Sequence, residues 1–451
     1  MATDTSTVVG VVVIARHGDR QGFYQNPKDY TASNTAITAL GNVQEFQLGQ
    51  YIRSLYLNAT SSSYIQRIKN DLVDATQVKV RADAGGEGGV IFNSAVSLLQ
   101  GLYPATSDYN TTLADGTTVT APLSGYQTIP IESVEPDQDV SLEGWTSCTK
   151  FANATSKFYQ SDAFKAKAAE NKDFFTNLSP YLDGRPVTME NMWNIFDYMN
   201  VQSIHNVSFA KALPPTYLEQ VRALANFHEY GVFTDQNPSG VGNVAGRTIL
   251  PSILKGLELM SNNTGPKLVY MAVSYKPIIT LFNLTGAASM NQSLAGIPNY
   301  ASAIAFELRN TSSGEQVVRL NFKNGTNEDL HTYSMFGLSQ DVPLSNFTSS
   351  LGALGSDDLQ SWCNLCGNFK DRGCANLFKP ITYITQSGPI SKVGAGFLGA
   401  GLTLAIALAM LALLTFLGFL SFGKRTHNQK PKRSPSDHGS DLGSTEKTVG
   451  Y

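Results

Sequence analysis

A histidine between two arginines is the first feature of this chain that could do chemistry. The segment Arg16-His17-Gly18-Asp19-Arg20 places two guanidinium groups within four residues of one imidazole. Guanidinium groups bind phosphate oxygens through paired hydrogen bonds, and a neutral imidazole nitrogen can attack phosphorus. The spacing therefore predicts a phosphate site with His17 as nucleophile and Arg16 and Arg20 as phosphate ligands. The alternative is that the arginines are ordinary surface ion-pair partners.

The element that must present this segment directly precedes it. Residues 7–15 read TVVGVVVIA, a continuous β-branched run that is typical of a strand buried on both faces of a parallel sheet. In open α/β sheets, ligands bind beyond the carboxyl ends of the strands. The segment is therefore expected to line a crevice at one edge of the sheet.

The spacing of apolar residues indicates the other helices and strands. Helices are predicted near 37–57, 91–102, 162–178, 215–227 and 278–284, and further strands at 77–81, 268–273, 303–308 and 317–322. Strand, helix, strand, helical insertion and more strands together predict an α/β fold with an all-α insert. We place the α/β core at 1–104 and 246–380, with a Cys-rich loop in the second part, and a mainly α-helical cap at 105–245.

Three stretches of the chain resemble one known family. They read VVVIARHGDR followed by ALGNVQEFQLGQYIRSLY, RADAGGEGGVIFNSAVSLLQGLYP, and PNYASAIAFELR with VVRLNFKNG. Over about residues 8–380 the chain is similar to the histidine acid phosphatases, the second branch of the phosphoglycerate-mutase-like superfamily. The resemblance implies an α/β core sheet with flanking helices and an α-helical cap. It also implies phosphomonoester substrates, a phosphohistidine intermediate and neither metal nor other cofactor.

The sequence departs from that family at positions that carry its chemistry. The family usually has proline two residues after the second motif arginine, where this chain has Gly22. A third phosphate-binding arginine normally lies several residues after the position of Arg81, but residues 82–89 contain none. The family's His-Asp dipeptide falls on Ser274-Tyr275. Tyrosine, with an ordinary pKa of about 10, is a poor proton donor to a leaving alcohol.

Nearby charges could compensate for these losses. Lys276 follows the altered dipeptide and could supply the missing positive charge as a phosphate ligand, although it could equally be a solvated side chain. Glu87 or Asp83, in the glycine-rich stretch, could serve as a substitute acid, or could belong to a flexible surface loop. The remaining histidines of this region are expected to be structural or surface residues: His205, His228 and His331.

Three functions stay open. The first is weak or altered hydrolysis of phosphate monoesters through phosphohistidine. The second is a catalytically inactive relative that binds phosphorylated or other anionic small molecules at the cell surface. The third is a glycosylated surface or wall-associated protein with a relic pocket, which the retained arginines disfavour. Simple monoesters are favoured over inositol polyphosphates, because the region supplies few basic residues for a highly charged substrate.

The amino-acid composition excludes further classes of function. The chain has 451 residues, 42% of them hydrophobic and 15% charged, which describes a large buried core and excludes a wholly disordered chain. Lys and Arg number 33 and Asp and Glu 36, with no basic stripe before residue 424. A nucleic-acid partner is therefore not expected. The sequence does not predict an oligomeric state.

Four cysteines, an even number, favour two disulfides in an oxidising compartment. Three of them crowd one loop, so we predict one bridge within that loop and a second bridge to the remaining cysteine. A zinc site made of all four thiolates is the alternative, weakened because one thiolate has no neighbouring partner. The cysteines are Cys148, Cys363, Cys366 and Cys374.

An uncharged apolar segment near the end of the chain predicts one membrane span. Residues 393–423 contain no charged residue, and about 20 apolar residues suffice to cross a bilayer. Basic residues outnumber acidic ones in the tail at 424–451, so this tail is expected to be disordered and cytosolic. A short juxtamembrane segment, 381–392, then joins the span to a lumenal or extracellular domain, as in a single-pass type I membrane protein.

Glycosylation sequons agree with this orientation. Asn-x-Ser/Thr occurs only before the predicted span, at more positions than chance would give. The N-terminus lacks the basic n-region of a secretory signal, so we expect a signal that precedes the printed sequence. The alternative is that the span itself directs targeting. The sequons are Asn58, Asn110, Asn153, Asn177, Asn206, Asn262, Asn283, Asn291, Asn310, Asn324 and Asn346.

Overall fold

The β-branched run at the start of the chain forms the central strand of a mixed sheet in the computed structural model. The structure describes residues 6–21, 35–338, 340–356, 358–378, 403–414 and 417. The strands are β1 Thr7–Arg16, β2 Val78–Asp83, β3 Asn110–Thr112, β4 Thr118–Thr120, β5 Glu132–Val134, β6 Leu268–Val273, β7 Ala303–Asn310, β8 Gln316–Lys323, β9 His331–Tyr333 and β10 Asp341–Pro343.

The order of strands in the main sheet is β10-β8-β7-β1-β6-β2-β5, with β9 beside β8. Strands β1, β6, β2 and β5 run parallel, and Ala15 of β1 lies opposite Ala272 of β6. Strands β7, β8 and β10 extend the sheet antiparallel on the other side of β1. Because β1 is interior, its apolar residues are covered on both faces, as the unbroken apolar run predicted.

The described residues also form helices. They are α1 Ala39–Tyr56, α2 Gly88–Leu102, α3 Pro122–Gly125, α4 Thr149–Tyr159, α5 Asp162–Glu170, α6 Lys172–Leu178, α7 Met192–His205, α8 Val207–Ala212, α9 Tyr217–Val232, α10 Val244–Ser261, α11 Tyr275–Leu284, α12 Ala287–Met290, α13 Leu344–Gly352, α14 Leu359–Cys366 and α15 Cys374–Leu377. Single 3-10 turns lie at Ser179–Tyr181, Met189–Asn191, Val241–Asn243 and Gln292–Leu294.

Alternate residues of β1 pack into two separate cores. Val13 belongs to the apolar cluster that contains Leu48 of α1, whereas Val12 belongs to the cluster that contains Ile249 of α10. Side chains that alternate along a strand point to opposite faces, so α1 and α2 cover one face and α10, α11 and α13 the other. This layered α/β arrangement agrees with the predicted fold class.

The helices between residues 149 and 232 contribute to a third apolar cluster, which also holds the cysteines. Two disulfides, Cys148–Cys366 and Cys363–Cys374, confirm the prediction of one bridge within the loop and one to the distant cysteine. The prediction of a single helix over 162–178 was wrong. Asn171 ends α5 and caps the start of α6, and its side chain donates to the carbonyl of Lys167.

The residues up to 379 and those from 380 onward separate into two units. The predicted division of the first unit at 104 and 245 stays a prediction. In the second unit, residues 403–414 are helical. No helix among the described residues is long and apolar enough to cross a membrane. Most of the predicted span at 393–423, the juxtamembrane segment and the tail lie outside the described residues.

Candidate functional site

The end of β1 delivers the histidine segment to the carboxyl edge of the sheet. Arg16 is the last residue of the strand, and the backbone N–H of His17 still donates to Val273 of the neighbouring strand β6. The chain then passes very close to the start of α1. A Cβ atom at Gly18 would lie 2.6 Å from the carbonyl oxygen of Gly41, so the loop requires glycine here.

Arg16 lies between two aromatic rings. Its guanidinium carbon lies 4.3 Å from the ring centroid of Tyr300 and 5.1 Å from that of Tyr275. One guanidinium nitrogen, Nη1, donates to the carbonyl of Pro298 at 2.5 Å. These contacts fix the direction of the guanidinium group, because stacking and the hydrogen bond constrain it together.

His17 is buried, with 1% of its surface exposed, and both ring nitrogens have close neighbours. Nδ1 lies 2.8 Å from the carbonyl oxygen of Gly18. Because a carbonyl oxygen only accepts, Nδ1 is the donor in this contact. Nε2 lies 2.7 Å from Oε2 of Glu87. The nitrogen that could attack phosphorus therefore faces a carboxylate of the protein itself.

Arg20 is also held by acidic side chains. Its Nη2 lies 2.8 Å from Oδ1 of Asp197 and 3.1 Å from Oε1 of Glu87. Its Nη1 donates to the other carboxylate oxygen of Asp197 and to the hydroxyl of Tyr300, each at 3.4 Å. The guanidinium fork that could bind phosphate is thus paired internally with two carboxylates.

The charges of this cluster keep Glu87 ionised. Burial alone would raise the pKa of Glu87, but Arg20 and His17 outweigh burial and hold that pKa well below its ordinary value. Burial lowers the pKa of His17, and Glu87 opposes this effect. A carboxyl group that stays ionised in acid has no proton to give. As placed here, Glu87 does not fit the role of substitute acid.

Asp83, the other candidate acid, has the opposite electrostatic environment. It is buried at the end of β2, and its Oδ1 accepts from the backbone N–H of Gly85 at 2.9 Å. Burial and the nearby charge of Glu143 raise the pKa of Asp83 to about 7, against the opposing charge of Lys276. A carboxyl group with this pKa is protonated in mildly acidic solution and can donate a proton.

The two residues at the family's dipeptide position, Ser274 and Tyr275, lie at the end of β6 and the start of α11. Ser274 is buried, and its Oγ has no hydrogen-bond partner among the described residues. The hydroxyl of Tyr275 donates to Oε2 of Glu229 at 2.7 Å. Burial raises the pKa of Tyr275 well above its ordinary value, and the charge of Glu229 adds to this effect. Tyr275 is therefore a poor proton donor to a leaving group.

Two neighbouring cavities meet at Glu87, Ser274 and Lys276. The smaller cavity, about 20 Å³, is lined by Arg16 and Arg20 and has room for about one water molecule. The larger cavity, about 380 Å³, has the size of a small-molecule site. Its side chains include Asp83, Glu143, Glu229, Trp145, Trp193 and Tyr159.

Lys276 lies beside both cavities, with its Nζ 5.0 Å from the ring centroid of Trp145. It lines the same small cavity as Arg16 and Arg20, and its role as a phosphate ligand stays a prediction. Arg81, in contrast, lines neither cavity and pairs with Asp139 at 2.5 Å. It therefore cannot replace the missing third arginine in this arrangement.

Sequence reasoning missed several residues of the site. Asp197 on α7 and Tyr300 before β7 carry no local signal, because only the tertiary fold brings them to Arg20. His205, expected to be structural or at the surface, contacts Oδ2 of Asp19 through Nε2 at 2.8 Å. His228 lies 2.8 Å from Glu229 through Nδ1 and 2.9 Å from the hydroxyl of Tyr159 through Nε2. Both histidines thus lie on polar networks around the site.

Sequence comparisons agree with this geometry. Lysosomal acid phosphatase of Bos taurus is 23% identical over 377 residues, which cover 82% of this chain and 83% of the relative. Prostatic acid phosphatase of Homo sapiens is 24% identical over 367 residues, which cover 78% of this chain and 87% of the relative.

Solved structures share the fold. The phytase of Citrobacter braakii aligns with a TM-score of 0.53 at 13% identity, covering 77% of this chain and 98% of the phytase. The phytase of Klebsiella sp. ASR1 aligns with a TM-score of 0.56 at 12% identity, covering 79% and 99%. The sequence profile of the histidine phosphatase superfamily (branch 2) matches residues 23–323. The chain belongs to branch 2 of the histidine phosphatase superfamily.

Proposed function

We propose that the protein hydrolyses phosphate monoesters slowly, through a phosphohistidine on His17. The observation that carries the proposal is the buried arrangement of Arg16, His17 and Arg20 at the carboxyl end of β1. Nδ1 of His17 faces the carbonyl of Gly18, so the lone pair for attack must be on Nε2. Acid phosphatase relatives support the same reaction class.

Glu87 makes this reaction slow. Its Oε2 lies 2.7 Å from Nε2 of His17 and occupies the space in front of the attacking nitrogen. A phosphorus atom cannot approach Nε2 while this oxygen lies there. Phosphate can reach Arg20 only after Glu87 withdraws, because the cavity lined by Arg16, Arg20 and Glu87 holds about one water molecule. Glycines on both sides of Glu87 permit such a backbone change.

Once Glu87 has withdrawn, His17 and Asp83 perform the chemistry. Nε2 attacks phosphorus, the ester P–O bond breaks, and the carboxyl of Asp83 gives its proton to the leaving oxygen. A water molecule then attacks the phosphorus of the phosphohistidine, the bond from phosphorus to Nε2 breaks, and the water gives one proton back to the carboxylate of Asp83. Free phosphate leaves, and Lys276 and the arginines balance its charge. The raised pKa of Asp83 supports its role as this acid.

Hydrolysis of an aryl phosphate by the full-length protein tests the proposal. p-Nitrophenyl phosphate needs no proton on its leaving group, so it reports the attack of His17 alone. We expect slow turnover that His17→Ala abolishes, with a phosphoryl group trapped on His17 after an acid-free quench. Turnover that is unchanged in His17→Ala would contradict the proposal.

The internal ion pairs also favour a second candidate, a catalytically inactive relative that binds phosphorylated or anionic ligands. Arg20 and His17 already have carboxylate partners, so a ligand could exchange with Glu87 without reaching a reactive geometry. Saturable phosphate binding without turnover of any aryl phosphate would select this candidate over the slow phosphatase.

We further propose that the domain is lumenal or extracellular and is anchored by residues 393–423 as a type I membrane protein. Two disulfides support an oxidising compartment. The lysosomal and prostatic relatives support the secretory pathway. Eight of the sequon asparagines are exposed, as glycan acceptors must be: Asn58, Asn110, Asn153, Asn177, Asn206, Asn262, Asn291 and Asn346.

A further inference from the structure

The larger cavity beside His17 has an aromatic and acidic lining. Its aromatic side chains all come from residues between 105 and 245: Trp145, Phe151, Tyr159, Trp193 and Phe233. Its carboxylates are Asp83, Glu87, Glu143 and Glu229, against the single lysine Lys276. A lining of this kind disfavours a polyanion and favours a cation, since aromatic faces and carboxylates both attract positive charge.

Two of these carboxylates already have side-chain partners inside the protein. Glu87 contacts His17 and Arg20, and Glu229 accepts from Tyr275 and contacts His228. The other two lack such partners. Asp83 accepts one backbone hydrogen bond, and the carboxylate of Glu143 has no ion-pair or hydrogen-bond partner in the part of the chain that the structure describes.

The carboxyl groups of Asp83 and Glu143 lie close enough to repel each other when both are ionised. Burial and the charge of Glu143 raise the pKa of Asp83, against the charge of Lys276, and Arg372 interacts with both carboxyl groups. When Asp83 is protonated, Glu143 is the carboxylate of the pair that can face a cation in the cavity. Glu143 thus supplies the electrostatic half of a cation site.

The aromatic side chains of the cavity already contact one positively charged side chain, that of Lys276. The Nζ of Lys276 lies 5.0 Å from the ring centroid of Trp145, within the range of a cation–π contact. Lys276 lines the small arginine cavity as well, so its charge lies on the side where phosphate would bind. Trp193, stacked on His228 at 6.5 Å between ring centroids, offers a second indole to the cavity.

One buried polar atom of the cavity is also available to bind a ligand. Ser274 is 6% exposed, and its Oγ has no hydrogen-bond partner among the described residues. It lies where the arginine cavity and the aromatic cavity meet. A hydroxyl or ester oxygen at this point could pair with Ser274, with phosphate on one side and the rest of the ligand on the other.

We propose that the aromatic cavity binds an ammonium group, so that the substrates are phosphate monoesters of ammonium-bearing alcohols. The inference rests on the proposed phosphatase function for the phosphate half, but not for the ammonium half. Phosphate binds toward Arg16, Arg20 and Lys276, and the ammonium group binds beside the carboxylate of Glu143 and the indole rings of Trp145 and Trp193. The carboxylates of the aromatic cavity would repel the additional phosphate groups of inositol polyphosphates, so these compounds are not expected as substrates.

Binding of the alcohol alone tests the ammonium half without any phosphoryl transfer. Choline and its uncharged isostere 3,3-dimethylbutan-1-ol are titrated into the full-length protein, with tryptophan fluorescence as the readout. Two of the three tryptophans of the chain line the cavity, and the third, Trp362, is fully buried elsewhere. We expect saturable binding of choline at least about threefold tighter than that of the isostere, as a cation–π site requires.

Two variants locate the site. Glu143→Gln should weaken choline binding about 3- to 30-fold, because it removes the carboxylate that faces the ammonium group. Glu170→Gln, an exposed carboxylate paired with Lys167 on α5, should leave the affinity unchanged. Equal affinities for choline and the isostere, or no change in Glu143→Gln, would overturn the ammonium site.

These experiments distinguish a failure of the ammonium site from a failure of the proposed phosphatase function. Choline binding together with no turnover of aryl phosphates would reject the phosphatase and retain the ammonium site. Turnover that depends on His17, without preference for choline over its isostere, would retain the phosphatase and reject the ammonium site.

Discussion

The carboxylate of Glu87 lies 2.7 Å from Nε2 of His17, the atom that would attack phosphorus. Its other oxygen lies 3.1 Å from Arg20, so one side chain satisfies both the nucleophile and a phosphate ligand. Glu87 is the residue before α2, in the stretch where the family resemblance expects a third arginine. An acidic residue at this position pairs with the positive side chains that would otherwise bind an anion. The charge of the site is then neutralised within the protein.

Asp83 should control the hydrolysis of poor leaving groups. An alkoxide leaves only with a proton, so Asp83→Asn should lower hydrolysis of glycerol phosphate by about 10²–10⁴-fold and of p-nitrophenyl phosphate much less. In the unmodified protein the glycerol phosphate rate should fall as pH rises through about 7, where Asp83 loses its proton. The variant should lack this limb of the pH profile. Equal losses on both substrates would assign the proton to another group.

Restoring the family's dipeptide should help alkyl substrates selectively. Ser274→His with Tyr275→Asp places a carboxyl group near Glu229, whose charge raises the pKa of its new neighbour and keeps it protonated. We expect the ratio of glycerol phosphate to p-nitrophenyl phosphate turnover to rise at least about tenfold. Tyr275→Phe, which removes the hydroxyl without adding an acid, is the control. An unchanged ratio in the double variant would show that the proton does not come from this position.

Glu45 on α1 should lower the stability of the protein at neutral pH. Its side chain is 0% exposed, and neither carboxylate oxygen has a hydrogen-bond partner among the described residues. Burial raises the pKa of Glu45 well above its ordinary value in the folded protein. The folded state therefore keeps a proton that the unfolded state releases above its ordinary pKa, so stability from this group falls as pH rises.

Urea unfolding of Glu45→Gln measures this effect. Relative to the unmodified protein, the variant should gain about 1–3 kcal/mol of unfolding free energy between pH 4 and pH 7, because glutamine does not titrate. Lys167→Gln, at an exposed helical ion pair, should show no such gain. A difference between Glu45→Gln and the unmodified protein that does not change with pH would contradict the account.

Glycosylation should follow exposure rather than the sequon alone. The side-chain amide of Asn283 donates to the carbonyl of Asp235 at 3.1 Å and to Asn243 at 2.9 Å, so it is engaged in the fold. Mass spectrometry of the secreted-pathway protein should find glycans at several exposed sequons and none at Asn283. A protein without any glycan would count against the lumenal orientation. A glycan at Asn283 would show that exposure in the folded protein does not decide which sequons are used.

The strands around the site could be predicted from the sequence because their signals are local. β1 and β6 are unbroken apolar runs, and the predicted strand at 268–273 has the same bounds in the structure. Helix α10 received no prediction, since Pro251 and two glycines interrupt its pattern. Tertiary packing of its buried residues overrides this weak propensity.

The partners of the catalytic segment could not be predicted in the same way. The sequence indicated His17, Arg16 and Arg20, because their types and spacing carry chemistry by themselves. Glu87 was noted as a possible acid, but its contact with His17 depends on how α2 packs against β2 and β6. Asp197 reaches Arg20 from helix α7, 177 positions further along the chain, and no local pattern encodes that pairing.

Phosphate affinity of Glu87→Gln tests the central claim most directly. The variant removes the ionised carboxylate that competes with phosphate for His17 and Arg20, while glutamine keeps the size of the side chain. Calorimetric titration with inorganic phosphate at pH 5.5, where Glu87 is still ionised, should give binding at least about tenfold tighter in Glu87→Gln than in the unmodified protein. Glu170→Gln should match the unmodified protein. Equal or weaker phosphate binding by a folded Glu87→Gln variant would contradict the claim that Glu87 fills the phosphate site.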